Sequence, residues 1–575
     1  MRYSQQPNPE PVTDGDTGFL GVNALLDPAL LGMDSALASA VSNSPDSRRV
    51  LMPGMVQDAQ NCRFDDGKIA CRAGTITPPD FNPSAGFGTI YGDGIFSDPN
   101  RREWLLVAVS DGVYRLGDGV APTRKITFPA GETISGACEL VQTFDTVLLF
   151  RGEDADVLEW DGTATAFTAI TQTSSGTFTE AIPNADYAVV MAGRAFVPES
   201  RDQIAASDLA DYTRWDSTLA SFRINSGEDD SIVGLASYRR RILGVFKDQS
   251  IHMLINVEGD LSDVAVDEVS GEIGCVARKS IAGVGGDLLW LAPQGVMRFT
   301  EVVENSMVAQ EVPVSEPIQP IIERINWQYA SAACACVHDR FYHLAVPLDG
   351  ATTNNAVLVY DTVTRQWQGY DTYATAASVA ISRFRRTDYL GRRRRIALDY
   401  TAGKVYVCDF GRGEDELDGT LYDIAQSMTT RGYAAGDSGL KNWRHIAWSA
   451  DTWRPSVTVT AVVEGVNETR PLRTSLTRDR SKYTVHGAGS VDITDPTELD
   501  NPHREDYAIL ADDAVVMDGA TDLFPVREQH YEDGLPIREK SRWAAAKFEN
   551  AQGTFALKSV TVNGTRKPNL GRLTS

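Results

Sequence analysis

RILGVFKDQSIHMLI, residues 241 to 255, sets an apolar strand against a polar turn and a second apolar strand. The inner positions of this pair are too apolar to stand in water alone, so the pair must pack face to face on a neighbour. The same unit recurs on both sides of it. WLLVAVSDGVYRL begins at Trp104, TVLLFRGEDADVLEW at Thr146 and RAFVPESRDQIAAS at Arg194. DLLWLAPQGVMRF begins at Asp287, FYHLAVPLDGATTNNAVLVYD at Phe341 and RRIALDYTAGKVYVCD at Arg394. Starts lie 42 to 54 residues apart, which is the period of four-stranded propeller blades. Radial closure buries both faces of every unit and protects the sheet edges, which two stacked sandwiches would do less completely. The reading is an all-β chain: a β-propeller over residues 59–425 with seven blades, or six if 132–183 is irregular.

The flanks differ in character. Residues 1–58 read as an extended N-terminal arm, with a short helix at Pro28 to Val41 where Leu30, Leu31, Met33, Leu37 and Val41 share a face. Past Asp418, the segments 442–450, 455–465, 482–489, 541–550 and 554–564 alternate apolar and polar in the manner of half-buried strands, with a polar loop at 495–506. Residues 426–575 are therefore expected to form a separate C-terminal β-sandwich domain.

Composition narrows the function. The 575 residues hold 54 Lys+Arg against 78 Asp+Glu, a formal charge of −24, and 42% are hydrophobic, enough to bury a core. So acidic a chain is a poor general clamp for nucleic acid, which needs a basic footprint. No run approaches the length of a membrane span, and the first residues lack a basic then apolar signal, so no membrane insertion is expected. Seven scattered cysteines do not resemble a disulfide framework, which suits synthesis in a reducing cytoplasm. Cys334 and Cys336 share a strand face, but no second Cys/His pair stands at zinc spacing, so they read as small core residues.

One local exception to the acidity stands out. SRFRRTDYLGRRRR, from Ser382, gathers Arg383, Arg385, Arg386, Arg392, Arg393, Arg394 and Arg395 around a turn. A solvated hairpin is the plain reading; contact with DNA or an acidic neighbouring subunit is the functional one. A smaller cluster at Arg239 to Arg241 reads as surface trim. The chain has no P-loop, no dinucleotide fingerprint after a strand, no nucleophile elbow and no kinase set. No catalytic, cofactor-binding or metal-binding residues are therefore assigned, and the expectation is a protein that is not an enzyme and uses no cofactor.

Two stretches together resemble a family of bacteriophage tail and neck proteins. The first runs from Gly18-Phe19-Leu20-Gly21-Val22-Asn23 through Leu26-Asp27-Pro28 and Pro53-Gly54 to AQNCRFDDGKIACRAG, Ala59 to Gly74. The second runs from Ala210-Asp211-Tyr212 and Trp215-Asp216 through SIVGLASYRRRILGVFKDQSIHML to GEIGCVARKSIAGVGGDLLWLAPQGVMRF. Both are similar to the tail nozzle (tail tubular protein B) and packaged-DNA stabilisation proteins of short-tailed phages, recognisably over residues 18–300. Met33 to Met52 departs from that pattern as an insertion of about twenty residues. Within the first stretch, Asp66-Gly67 suits a hairpin turn with Arg63 and Arg72 on its arms, a geometry fit for an N-terminal strand that completes the last blade.

The resemblance implies a structural virion protein, made in the bacterial host cytoplasm, that assembles as a ring, sixfold by expectation, at the head-to-tail junction or tail nozzle. Its partners would be other copies of itself, adjacent portal, adaptor or tail proteins, and the viral double-stranded DNA that it retains and then releases. The rival is a tail-borne glycan-binding or glycan-degrading propeller. Trp160, Trp215, Trp290, Trp327 and Trp367 would then be its sugar platforms, although their place inside apolar strands favours core.

Overall fold

The computed structural model describes residues 10–24 and 54–566, apart from 123, 172–179, 228, 240, 304–305, 310–311, 374–378, 411–412, 434, 436–439, 454–456, 464–469, 474–528, 542 and 552. The helix expected at Pro28 to Val41, the Met33 to Met52 insertion, the strand at 482–489 and the loop at 495–506 lie outside the described residues.

The chain is a β-propeller joined to a second β-structure. Seven successive antiparallel units follow one another along residues 92–127, 139–169, 189–223, 232–270, 282–309, 334–372 and 383–410. Their central strands, such as Glu103–Val109 in unit 1 and Ala356–Asp361 in unit 6, are buried on both faces. That is why these strands read as continuous apolar runs.

The ring is closed by apolar packing between neighbours. Leu106 and Trp104 of unit 1 pack with Leu149 and Trp160 of unit 2, and Phe150 of unit 2 with Val197 and Trp215 of unit 3. Phe196 and Val245 share one core between units 3 and 4, the Phe246 and Trp290 rings meet edge to face between units 4 and 5, and Leu291 and Tyr342 share a core between units 5 and 6. Val357 and Phe384 join units 6 and 7. The seventh interface returns to the start, where Ile396, Leu398 and Val405 of unit 7 pack on Leu105 and Val107 of unit 1. Each fully buried aliphatic side chain stabilises by roughly 1.5–3 kcal/mol, so these interfaces outweigh any single ion pair. Within the 132–183 region, the described residues 139–169 form a four-stranded antiparallel unit.

Unit 7 supplies only three strands of its own, and Gly74–Ile76 adds the fourth, antiparallel to Lys404–Phe410. A Cβ at Gly74 would lie 1.9 Å from the Glu414 carbonyl oxygen, so only glycine lets the closing strand in. The closure thus falls just beyond the hairpin expected from the sequence. The hairpin itself, Cys62–Asp65 and Lys68–Cys71, turns at Asp66 and Gly67, both with positive φ, and pairs through Ile69 with Leu557 near the C-terminus.

The second β-structure is built from both ends of the chain, not from residues 426–575 alone. One sheet joins Glu10–Thr17, the 62–71 hairpin, Lys441–Trp453, Gln529–Ser541 and Thr554–Arg566. The other joins Met55–Gln60, Gln426–Thr430, Val457–Val463, Arg470–Arg473 and Ala544–Asn550. Trp448 and Phe555 of the first sheet pack against Phe548 of the second. The described part of the expected arm is therefore woven into sheets: residues 10–17 pair along their whole length with residues 559–566. The second sheet also continues into unit 6, through Val22 beside Trp367 and Gln60 beside Tyr370. At this seam Gly369 has φ +94°, and a Cβ there would meet the Ala59 carbonyl oxygen at 2.0 Å.

Polar side chains of the AQNCRFDDGKIACRAG run hold the seam. Arg63 grips Asp371 with both terminal nitrogens, at 2.8 and 2.5 Å, and Arg72 grips Asp415 in the same way at 2.9 and 2.6 Å. Asn61 donates to the Ala425 carbonyl and accepts from Arg72 Nε and from the Thr372 amide. The Phe64 amide donates to Gln368, and the Thr75 amide to Asp415. In low-dielectric surroundings, bidentate arginine–carboxylate pairs fix orientation as well as adding energy.

Candidate functional site: the arginine hairpin and the propeller axis

The arginine run folds as a hairpin, Arg383–Tyr389 against Arg392–Asp399, turning at Leu390 and Gly391, both with positive φ. Its first strand is the innermost of unit 7 and packs beside unit 1 and unit 6. The innermost strands line the propeller axis, and those of units 1 and 2, GDGIFS (92–97) and ELVQT (139–143), bring polar and charged residues to it. Charged side chains survive there because they meet across the axis.

Glu139, at the start of unit 2, is where they meet. Arg278 reaches it at 2.5 Å from the link into unit 5, and Arg383 and Arg385 reach it from unit 7 at 3.1 and 3.5 Å. Burial would raise the Glu139 carboxyl, but Arg383, Arg278 and Arg385 outweigh it and hold it down at about 2. Asp93 of unit 1 pairs with Arg385 Nε and accepts from the Tyr400 hydroxyl. Burial opposes its charge as well, and Arg385 and Arg383 prevail, keeping the carboxyl below its ordinary range. Arg278 stacks over the Tyr187 ring at 3.8 Å, and Lys279 Nζ lies 5.0 Å from the Tyr400 ring centre. Burial, then Arg383, lowers the Lys279 ammonium.

The remaining hairpin arginines serve several ends. Arg393 pairs with Glu103 of unit 1 at 3.0 Å. Arg395 is buried and grips Asp409 at 3.0 and 3.1 Å, while Arg394 donates to the Asp409 carbonyl. Burial opposes the charge on Asp409, but Arg395 beside it holds the carboxyl well below the usual range. Arg386 and Arg392 are exposed and carry no ion pair among the described residues. Five of the seven arginines thus act inside the subunit, and Arg386 and Arg392 are the two exposed to solvent without an ion pair among the described residues. Arg239 is exposed and Arg241 pairs with Glu258 at 3.2 Å, as surface trim would.

Around this knot lies a cavity of about 340 Å³, lined by Glu139, Tyr187, Arg278, Lys279, Arg383 and Arg385 among others. The sequence reading singled out the hairpin but missed Asp93, Glu139, Arg278, Lys279 and Tyr187. A carboxylate at the start of an otherwise apolar unit was the available signal. A duplex whose major groove alone is about 12 Å wide does not fit such a cavity.

Of the five tryptophans considered as sugar platforms, Trp160, Trp215, Trp290 and Trp367 are fully buried, and only Trp327 is partly exposed, at 36%. All seven cysteines carry free thiols. Among the described residues, no group of three or more His, Cys, Asp or Glu is placed to hold a metal ion, and no helix is long and apolar enough to cross a membrane.

No protein-family model and no curated protein matches the chain. Among solved structures it is similar to the extracellular domain of a one-component system from B. thetaiotaomicron, at 12% identity and a TM-score of 0.37, covering 76% of this chain and 60% of that one. It is also similar to the Neurospora crassa Pan2 WD40 domain, at 10% identity and a TM-score of 0.36, covering 60% of this chain and 95% of that one. A third is a puromycin-hydrolyzing peptidase of Mycobacterium tuberculosis, at 12% identity and a TM-score of 0.33, covering 59% and 57%. The chain spans about three-fifths of the length of the first of these. Likeness this distant says nothing about activity.

Proposed function

We propose that the chain is a structural subunit of a tailed bacteriophage particle, forming a ring at the head-to-tail junction or tail nozzle. The observation that carries this reading is the state of the run behind the resemblance. Asn61, Arg63, Phe64 and Arg72 tie the second β-structure to unit 6, Ile69 pairs within that second structure, and Gly74 admits the strand that completes unit 7. A subunit knitted in this way suits a ring that must withstand the pressure of a packaged genome.

The role is mechanical, not chemical. With −24 formal charges per chain, a sixfold ring carries 6 × −24 = −144, and in this reading its lumen is acidic, repelling phosphate so that DNA slides without sticking. Arg386 and Arg392, exposed on the hairpin, are the contacts offered to DNA or an adjacent ring. The DNA channel lies between subunits, since the axis cavity is too small. The glycan reading has less support, because four of its five tryptophan platforms are buried.

Negative-stain images and sedimentation of the purified chain test the proposal. Closed rings, six copies by expectation, support it. Monomers that release sugar from host polysaccharide overturn it in favour of the glycan-active reading.

A further inference from the structure

We propose that the cavity on the propeller axis binds a phosphate group, as free phosphate or as a compact phosphomonoester. This holds whatever particle the chain belongs to. Its volume of about 340 Å³ falls within the roughly 300–1,000 Å³ of ligand pockets.

Charge is the first argument. Arg278, Lys279, Arg383 and Arg385 face the cavity, and the carboxylates paired with them are Glu139 and Asp93. Four cations against two anions leave a surplus of two positive charges, in a protein whose own balance is −24. Lys279 has no carboxylate within ion-pair distance among the described residues, and its contact is the Tyr400 ring. Arg383 spends only Nη2 on Glu139, leaving the rest of its fork free. A partly buried cation without a counter-charge is costly, and a bound dianion removes that cost.

The second argument is geometric. Arg383 and Arg385 enter the cavity from unit 7, Arg278 and Lys279 enter it from the link into unit 5, and Arg278 is held flat over the Tyr187 ring at 3.8 Å. Phosphate fits better than a carboxylate, because its tetrahedral oxygens can meet an arginine fork and an ammonium from different directions.

The test is calorimetric titration of the full chain with inorganic phosphate, glycerol phosphate and malonate at fixed ionic strength. One site per chain is expected for phosphate or its ester. The affinity should fall about tenfold in Lys279→Gln, which removes one charged donor but leaves the Glu139 knot intact. Lys125→Gln, at a surface lysine paired with Asp111, should bind as the unaltered protein does. Tighter binding of free phosphate marks the anion itself as the ligand, and tighter binding of the ester marks an organic group filling the cavity; either supports the proposal. Absence of binding, unchanged affinity in Lys279→Gln, or malonate bound as tightly as phosphate overturns it.

Discussion

Replacing Arg72 by methionine is expected to lower the stability of the protein by about 3–5 kcal/mol, the range for removing one partner of a buried ion pair. Arg72 and Asp415 are only 3% and 2% exposed. The substitution leaves the Asp415 carboxylate buried without its counter-charge, and it strips donors from Asn61 Oδ1 and the Thr372 carbonyl. Those groups lie where the closing strand Gly74–Ile76, unit 6 and the second β-structure meet, so the cost falls on the joint between them. Arg324→Met is the comparison. It breaks an equally close pair with Asp349, but one exposed to 36% and 59%, and the expected loss is about 0.2–1 kcal/mol. Denaturant melts of the two variants measure the contrast. Equal shifts in midpoint would mean that Arg72 does not hold the joint.

Glu139→Gln is expected to be the second severe substitution, because one carboxylate answers three arginines from distant parts of the ring. Its effect should depend on pH in a defined direction. The carboxyl sits at about 2 in the folded protein against an ordinary 4.5, a depression worth about 3 kcal/mol at 1.36 kcal/mol per pH unit. A depressed carboxylate contributes its stability in full above the unfolded value and loses it as pH falls through the folded one. The protein and its Glu139→Gln variant should therefore differ by about 3 kcal/mol above pH 5, and the gap should narrow between about pH 4.5 and 2. Stability measured across that range is the check. A gap that stays constant to pH 2 would show that the loss comes from altered packing and not from the charge.

Much of the ring was legible from the sequence because its central strands are buried on both faces. Runs such as TVLLF at 146–150 and AVLVYD at 356–361 carry no alternation, and their spacing repeats. The N-terminal strand was not legible. EPVTDGDT at 10–17 is polar and binds through its backbone at a sheet edge, so neither period nor hydrophobicity announces it. The arginine hairpin was readable as a hairpin, but its partners were not. Glu139, Glu103 and Asp93 lie 244, 290 and 292 residues from the arginines they meet, and only closure of the ring brings them together. A charge run that reads as a surface patch in one dimension is, in three, largely the internal bracing of the axis.

The most direct test of the account is a cryo-electron microscopy reconstruction of the particle that carries this chain. The account predicts a closed ring at the neck or tail tip, with a propeller and its attached β-structure in every subunit and the DNA channel running between subunits. A particle in which the chain sits as isolated copies without a closed ring, or as a ring that the DNA does not pass through, would contradict it.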